Sequence, residues 1–372
     1  MHPSHRHGFV PGGNIKGLHP SHRHGFVRET PVRNRALLTL YTTDVLGIQG
    51  RMGALTSFFS EAQAMQSADD QAIDAQKLLF LACIQGKLES AKFVVERLGA
   101  NIEATVDEMG NTPLIYVSLQ GKADFVRYFL ARGANISQIN GLGFSALHSA
   151  AVGGKSEVCE LLLEAGADVN QRQPDGTTPL MEATQRNQLN VAKCLVEKGG
   201  ADMELASLIG HTALTYAAFS GQLDFVRYLL AHGALVNGKD IANASPLHYA
   251  VFGRHLDVCA ALVEAGIDVK QQVGASGITA LHAAYLVNDL NIVKFLVEKA
   301  GVDLEIRDAS GRTALMGAAF EGQADIVKYL VTKKARTDWK DENGDTAIDY
   351  AEKKGHAEVV KILRAAAPHN EL

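Results

Sequence analysis

The chain has 372 residues, 47% of them hydrophobic, and a formal net charge of −5 at neutral pH. It contains no run of eighteen apolar residues and its opening lacks the long apolar core of a secretory signal, so neither a membrane-spanning helix nor a signal peptide is expected. Residues 1–35 carry six basic residues and one acidic residue, which leaves −10 on the remainder, and an acidic body is a poor nucleic-acid binder.

The first segment, 1–51, is rich in His, Arg and Gly. Its nonapeptide His2-Pro-Ser-His-Arg-His-Gly-Phe-Val10 returns unchanged as His19 to Val27. No helical or strand period appears, and the segment reads as disordered. Six of the fourteen histidines lie here. They offer metal ligands, but no second-shell partner or fold surrounds them, so the reading is a duplicated tail with incidental metal affinity and no metal site.

Residues 52–74 form an N-terminal segment with helical spacing. Leu55, Phe58 and Phe59 share one helical face, so residues 54–66 are a candidate occupant of any apolar groove farther along the chain. Met52-Gly53-Ala-Leu-Thr-Ser57 has the spacing of an N-myristoylation signal. Gly53 is internal, so acylation, and with it a membrane-peripheral structural role, requires translation to begin at Met52.

From residue 75 one phrase recurs. It reads Gly110-Asn-Thr-Pro-Leu114, Gly143-Phe-Ser-Ala-Leu147, Gly176-Thr-Thr-Pro-Leu180 and Gly210-His-Thr-Ala-Leu214. It continues as Asn243-Ala-Ser-Pro-Leu247, Gly277-Ile-Thr-Ala-Leu281, Gly311-Arg-Thr-Ala-Leu315 and Gly344-Asp-Thr-Ala-Ile348. The final residues step by 33, 33, 34, 33, 34, 34 and 33, and a fixed period of that length means a stacked solenoid. Gly suits a turn of positive φ, and Thr or Ser suits a helix N-cap. Pro is tolerated at the first helical position because its amide has no intrahelical partner there.

A second helix follows, for example Ser156 to Glu164, and ends at Gly166, placed for a left-handed C-cap. One such pair cannot bury its own apolar face, so neighbours stack. Residues 75–105 read as a polar first cap, with Leu79, Ala82 and Gly86 in register. The unit from Asp341 to Ala366, with Glu352, Lys353, Lys354, Glu358, Lys361 and Arg364, reads as the last.

The phrase resembles the ankyrin repeat, whose Thr-Pro-Leu-His-x-Ala core survives best as Ser245-Pro-Leu-His-Tyr-Ala250 and Thr279-Ala-Leu-His-Ala-Ala284. The resemblance implies an all-α solenoid of about nine helix-turn-helix units over 75–367, joined by hairpin-like loops and followed by a short tail, 368–372. It also implies that His148, His248 and His282 brace the loop of the adjacent unit. Asn170, in an Asp-Val-Asn stretch like the one hydroxylated in this family, reads as a turn cap. Asn187, Arg254 and Asn288 stand where Gly usually separates the helices, and Lys334 stands where Gly follows the eighth unit. Units four and seven carry an extra residue near Gly199-Gly200 and Ala300-Gly301. These departures bear on local turns.

Cys83, Cys159, Cys194 and Cys259 form neither a metal motif nor a disulfide framework, and they fit packing in a reduced cytoplasmic or nuclear compartment. No Gly-x-Ser-x-Gly, phosphate loop, His-Glu-x-x-His or Cys-x-x-Cys occurs, so neither catalysis nor a cofactor is expected. The resemblance points instead to a non-enzymatic adaptor, scaffold, or assembly or inhibitory factor. It would act as a monomer and bind another protein along the concave face made by turn tips and first helices. Five places after the markers the chain has Leu119, Val152, Gln185, Phe219, Phe252, Leu286, Phe320 and Lys353, and nearby turns add Met109, Leu142, Phe144, Leu208, Ile209, Ile241 and Ile278; from these come Leu119, Phe144, Ile209, Phe219, Phe252, Ile278, Leu286 and Phe320. These eight are the candidate partner-binding residues, because a contiguous apolar patch with aromatic anchors marks an interaction site.

Overall fold

The computed structural model describes residues 75–366, which lie in the second of the two units, Met1–Ile73 and Asp74–Leu372, into which the chain divides. The duplicated tail, the Met52-Gly53 signal, the segment 54–66 and the last six residues lie outside the described residues. Within them the fold is an all-α solenoid of nine stacked helix pairs, with no strand and one isolated bridge, Val273 to Ile278. Unit one pairs Ala75–Gln85 with Leu88–Arg97, unit two Pro113–Gln120 with Ala123–Ala131, and unit three Ala146–Gly153 with Ser156–Glu164. Unit four pairs Pro179–Gln185 with Leu189–Lys193, unit five Ala213–Phe219 with Leu223–Ala231, and unit six Pro246–Phe252 with Leu256–Glu264. Unit seven pairs Ala280–Leu286 with Leu290–Glu298, unit eight Ala314–Phe320 with Ala324–Thr332, and unit nine Ala347–Lys354 with Ala357–Ala366.

The Thr or Ser of the phrase is the N-cap of all eight first helices from unit two onward. At Thr178 the hydroxyl accepts the Met181 amide at 3.3 Å, satisfying a donor that the helix itself leaves unpaired. Pro113, Pro179 and Pro246 open their helices. The marker leucines from Leu114 to Leu315 are buried, as are the residues three places on, such as Ala150 and Ala217. Burying each leucine side chain contributes about 1.5–3 kcal/mol, so the phrase supplies the core as well as the turn.

The departures from glycine leave the turns intact. Asn187, Arg254, Asn288 and Lys334 all take the left-handed conformation, with φ of 56°, 63°, 51° and 65°. Asn tolerates that region, whereas Arg254 and Lys334 carry a steric cost there. The extra residue of unit four is absorbed as a π turn over Cys194–Lys198, in which the Gly199 amide reaches back to Cys194 O at 3.2 Å. In unit seven the second helix stays α-helical to Glu298, and Ala300 N then bonds Phe295 O at 3.2 Å.

Polar side chains join unit to unit. The residue after the inter-helix turn donates to the end of the preceding unit's first helix. Gln222 Nε2 reaches Thr184 O at 2.8 Å, Gln323 Nε2 reaches Tyr285 O at 2.7 Å, and His255 Nε2 and His356 Nε2 reach Phe219 O and Phe320 O at 3.1 Å. On the other side Asn170 Oδ1 accepts the Asp202 amide at 2.9 Å, which gives Asn170 its turn-capping role. In unit nine Glu352, Lys353, Lys354, Glu358, Lys361 and Arg364 are all exposed, as an end with no neighbour requires.

Candidate protein-binding site

The hairpin loops are built by the residue that opens them. Asp107, Asn140, Asp240, Asp308 and Asp341 each accept two backbone amides, two and four residues on, so one side chain folds the whole loop. Neighbouring tips are then tied together. Gly141 N donates to Met109 O at 2.9 Å, Leu208 N to Asp175 O at 2.8 Å, Ile241 N to Ile209 O at 3.4 Å and Ala309 N to Ser276 O at 2.9 Å. The loops approach so closely that a Cβ on Gly210 would lie 2.6 Å from Asp240 Cα, which explains that glycine as much as its φ of 84° does.

This stacking aligns one exposed residue per unit, six places before each marker: Glu108, Gly141, Pro174, Leu208, Ile241, Ala275, Ala309 and Glu342. Leu208 and Ile241 are 68% and 76% exposed, the highest values among the large apolar side chains described. Exposed leucines and isoleucines are ordinary when scattered. Here they are adjacent rungs of a hydrogen-bonded ladder, with half-buried Ile209 between them.

Behind the tips lies the face of the first helices, where in units four, six and nine the residue two after the marker bonds to the loop opener nine places upstream. Tyr249 Oη donates to Asp240 Oδ2 by a short bond, Tyr350 Oη to Asp341 Oδ2 at 2.5 Å, and Gln173 Nε2 donates to Glu182 Oε1 at 2.9 Å. His211 Nε2 also lies 2.7 Å from Tyr249 Oη, and its ring packs edge-on against Tyr216 and Tyr249 at 5.3 and 4.8 Å. Burial pushes the His211 imidazolium down although Asp240 favours it. Burial also drives the Glu182 carboxyl up to about 7 against the pull of Gln173 and Arg186. In unit eight the same place is Gly317, and Tyr285 fills the room that its missing side chain leaves.

The eight sequence-predicted residues divide between the two ends of this face. Phe144, Ile209 and Ile278 lie in the loops and are half-buried. Phe219, Phe252, Leu286 and Phe320 are the last residues of their helices, and Leu119 is next to last in its own. A seven-residue helix separates the ends by about 10 Å. Only Leu286, at 38%, counts as exposed. Phe219 packs edge-on against Tyr249 of the next unit at 6.3 Å, and Phe320 against Tyr350 at 5.5 Å with Lys354 Nζ 4.2 Å above it. These rings therefore spend part of their area joining units. The most open apolar positions, Leu208 and Ile241, are turn residues, and their signal in the sequence is the place six before the marker.

The recurring histidines and the cysteines have structural roles. His148 Nδ1 meets Ser145 Oγ at 2.8 Å and its Nε2 meets Thr177 O of the next unit at 3.3 Å; His282 repeats this with Thr279 and Arg312 O at 2.7 and 3.1 Å. His248 meets Ser245 Oγ at 2.9 Å and faces the backbone of Ile278. Burial lowers His148 and His248 to about 4, so the imidazoles stay neutral, and that of His148 serves one nitrogen as donor and one as acceptor. All four cysteines are buried, and burial raises the Cys83 and Cys259 thiols to about 12. Among the described residues no group of three His, Cys, Asp or Glu could hold a metal ion, and no helix is long and apolar enough to cross a membrane.

A family model for ankyrin repeats matches residues 52–140, 79–173, 135–207, 200–273, 234–308 and 280–371. The chain belongs to the ankyrin repeat family. Its curated relatives are diverse. It is 31% identical over 106 residues to protein fem-1 homolog A-like of Mus musculus, covering 28% of this chain and 16% of that protein. It is 32% identical over 219 residues to the putative palmitoyltransferase ZDHHC13 of Danio rerio, covering 56% and 33%. To the NF-kappa-B inhibitor cactus of Drosophila melanogaster it is 29% identical over 105 residues, covering 28% and 21%. The chain thus spans a third or less of each of these relatives. Ankyrin repeats are in general protein–protein interaction modules and typically non-enzymatic.

Proposed function

We propose that this ankyrin repeat protein is a non-enzymatic adaptor or scaffold that holds a protein partner on its concave surface. The observation that supports this reading is the ladder of loop tips, with Leu208 and Ile241 exposed side by side at its centre. A rigid row of apolar side chains above a hydrogen-bonded frame offers a partner buried area without requiring the loops to reorganise, which is where binding usually loses free energy. Leu119, Phe144, Ile209, Phe219, Phe252, Ile278, Leu286 and Phe320 form the floor and far edge against which the partner packs. The relative named as an NF-kappa-B inhibitor is a precedent for a repeat protein that works by binding. The protein acts as a monomer in the cytoplasm or nucleus, in keeping with its four buried free thiols.

The test is partner capture by the full chain and by Leu208→Asp/Ile241→Asp. Both side chains face solvent, so circular dichroism should show an unchanged fold. Loss of specific partners from the folded variant is the expected result. Retention of every partner by the folded variant would move the binding surface elsewhere.

A further inference from the structure

The tip row also carries a charge pattern. Its two end positions are the exposed carboxylates Glu108 and Glu342. Asp107 precedes the first, and Asp341 and Asp345 flank the second, with Lys353 bonded to Asp345 and exposed Lys340 offsetting one charge. Between the ends the tips of units five to seven hold a single acidic group, Asp240. It is buried and already engaged by the amides of Ala242 and Ala244 and by Tyr249. Of the cations two places before the tips, Arg172 donates to Ala206 O at 2.6 Å and Arg307 stacks 3.6 Å from the centre of the Trp339 ring, while exposed Lys239 stands beside Asp240.

Resting on the protein-binding role above, we infer that the partner presents an extended polypeptide segment, apolar in its middle and bearing Lys or Arg at both ends, laid along the tip row. Packed helices stack about 8–10 Å apart, and an extended chain advances about 3.3–3.6 Å per residue. One rung, from Leu208 to Ile241, is therefore spanned by about three residues. The seven rungs from Glu108 to Glu342 are spanned by roughly 16 to 21 residues on the same spacing. The apolar anchors of the segment fall near its centre about three places apart, and its cations fall about nine residues to either side. The apolar side chains of the centre favour an apolar middle in the segment, and the carboxylates select the basic ends by complementarity, which governs specificity and encounter rate more than affinity.

The experiment is fluorescence anisotropy of the full-length chain with three synthetic peptides of about 20 residues. The first carries Leu at every third central position and Lys/Arg ends, the second has the same centre with Glu ends, and the third is a scramble of the first. The first should bind at least tenfold more tightly than either other, with an affinity that falls as NaCl is raised. Leu208→Asp/Ile241→Asp should abolish that binding, and Glu108→Lys/Glu342→Lys should reverse the preference between the first two peptides. Equal binding of the first and third peptides, a preference untouched by charge reversal, or concentration-dependent self-association abolished by Leu208→Asp would each overturn the inference; the last would make the occupant a second copy of this chain. If the peptides fail while partner capture still depends on Leu208 and Ile241, the binding role stands and only the chemistry assigned to the partner falls.

Discussion

Glu182 provides a stability prediction that can be worked from the structure. Its carboxyl lies in the first helix of unit four at 5% exposure, with Gln173 Nε2 2.9 Å from Oε1, and burial raises it from 4.5 to about 7. A carboxyl raised in the folded state binds its proton more tightly there than in the unfolded chain. The folded state is thus favoured by this group below the unfolded pKa, relative to higher pH, and that advantage is lost as pH rises through about 7. The shift corresponds to about 3 kcal/mol of destabilisation once both states are ionised, above about pH 8, and to roughly 1 kcal/mol at pH 5. Glu182→Gln keeps an acceptor for Gln173 and removes the titration. The variant should therefore exceed wild type in stability by about 3 kcal/mol at pH 8.5 and by little at pH 5. Against a typical net stability of about 5–15 kcal/mol this is measurable. Urea titrations followed by circular dichroism at the two pH values would read it. The slope must be compared as well as the midpoint, because repeat arrays can unfold in parts. An equal difference between variant and wild type at both pH values would refute the reasoning, as would a variant less stable than wild type at pH 8.5.

Four further outcomes are expected. His148 and His248, lowered by burial to about 4, titrate in the opposite sense. Their stabilisation is present above about pH 6.5 and is lost as pH falls towards 4, by about 3 kcal/mol each, so melting temperature should drop over that window and drop less in His148→Gln. Lys334→Gly, which relieves a side chain held at φ 65°, should stabilise by about 1 kcal/mol in the same titrations. Gly210→Ala should destabilise by more than about 2 kcal/mol, because the new Cβ meets Asp240 Cα at 2.6 Å in a left-handed turn. Leu208→Asp should leave stability within about 0.5 kcal/mol of wild type, as expected for a residue that faces solvent.

Much of this molecule is legible in its repeat. The Thr or Ser of the phrase forecasts every first-helix N-cap after the first unit, the marker leucines forecast the core, and the recurring histidines forecast the braces at Thr177 and Arg312. The cap residues respond to local backbone needs, and the buried ones to helical period, so both are written in a single unit. The π turn at Cys194 is different. An extra residue can be absorbed by a longer loop or by a wider helix turn, and units four and seven take different routes. Exposure along the apolar row is not local either. Phe219 is covered because the next unit offers Tyr249 and Phe320 because the next offers Tyr350, whereas the unit after Leu286 has Gly317 at that place, with its room filled by Tyr285, and Leu286 stays open. Reading one unit against its neighbour, place by place, would have singled out the tip row, since the position six before the marker turns from Glu to apolar residues and back to Glu.

The central claim is that the loop tips at the middle of the array contact a protein partner. The most direct measurement places a photo-crosslinking amino acid at Leu208 or Ile241, and in parallel at Leu235, which is 62% exposed but lies in the loop after a second helix. Irradiation in cells followed by mass analysis should yield the same protein adduct from positions 208 and 241 and none from 235. An adduct from 235 with none from the two tips would contradict the account.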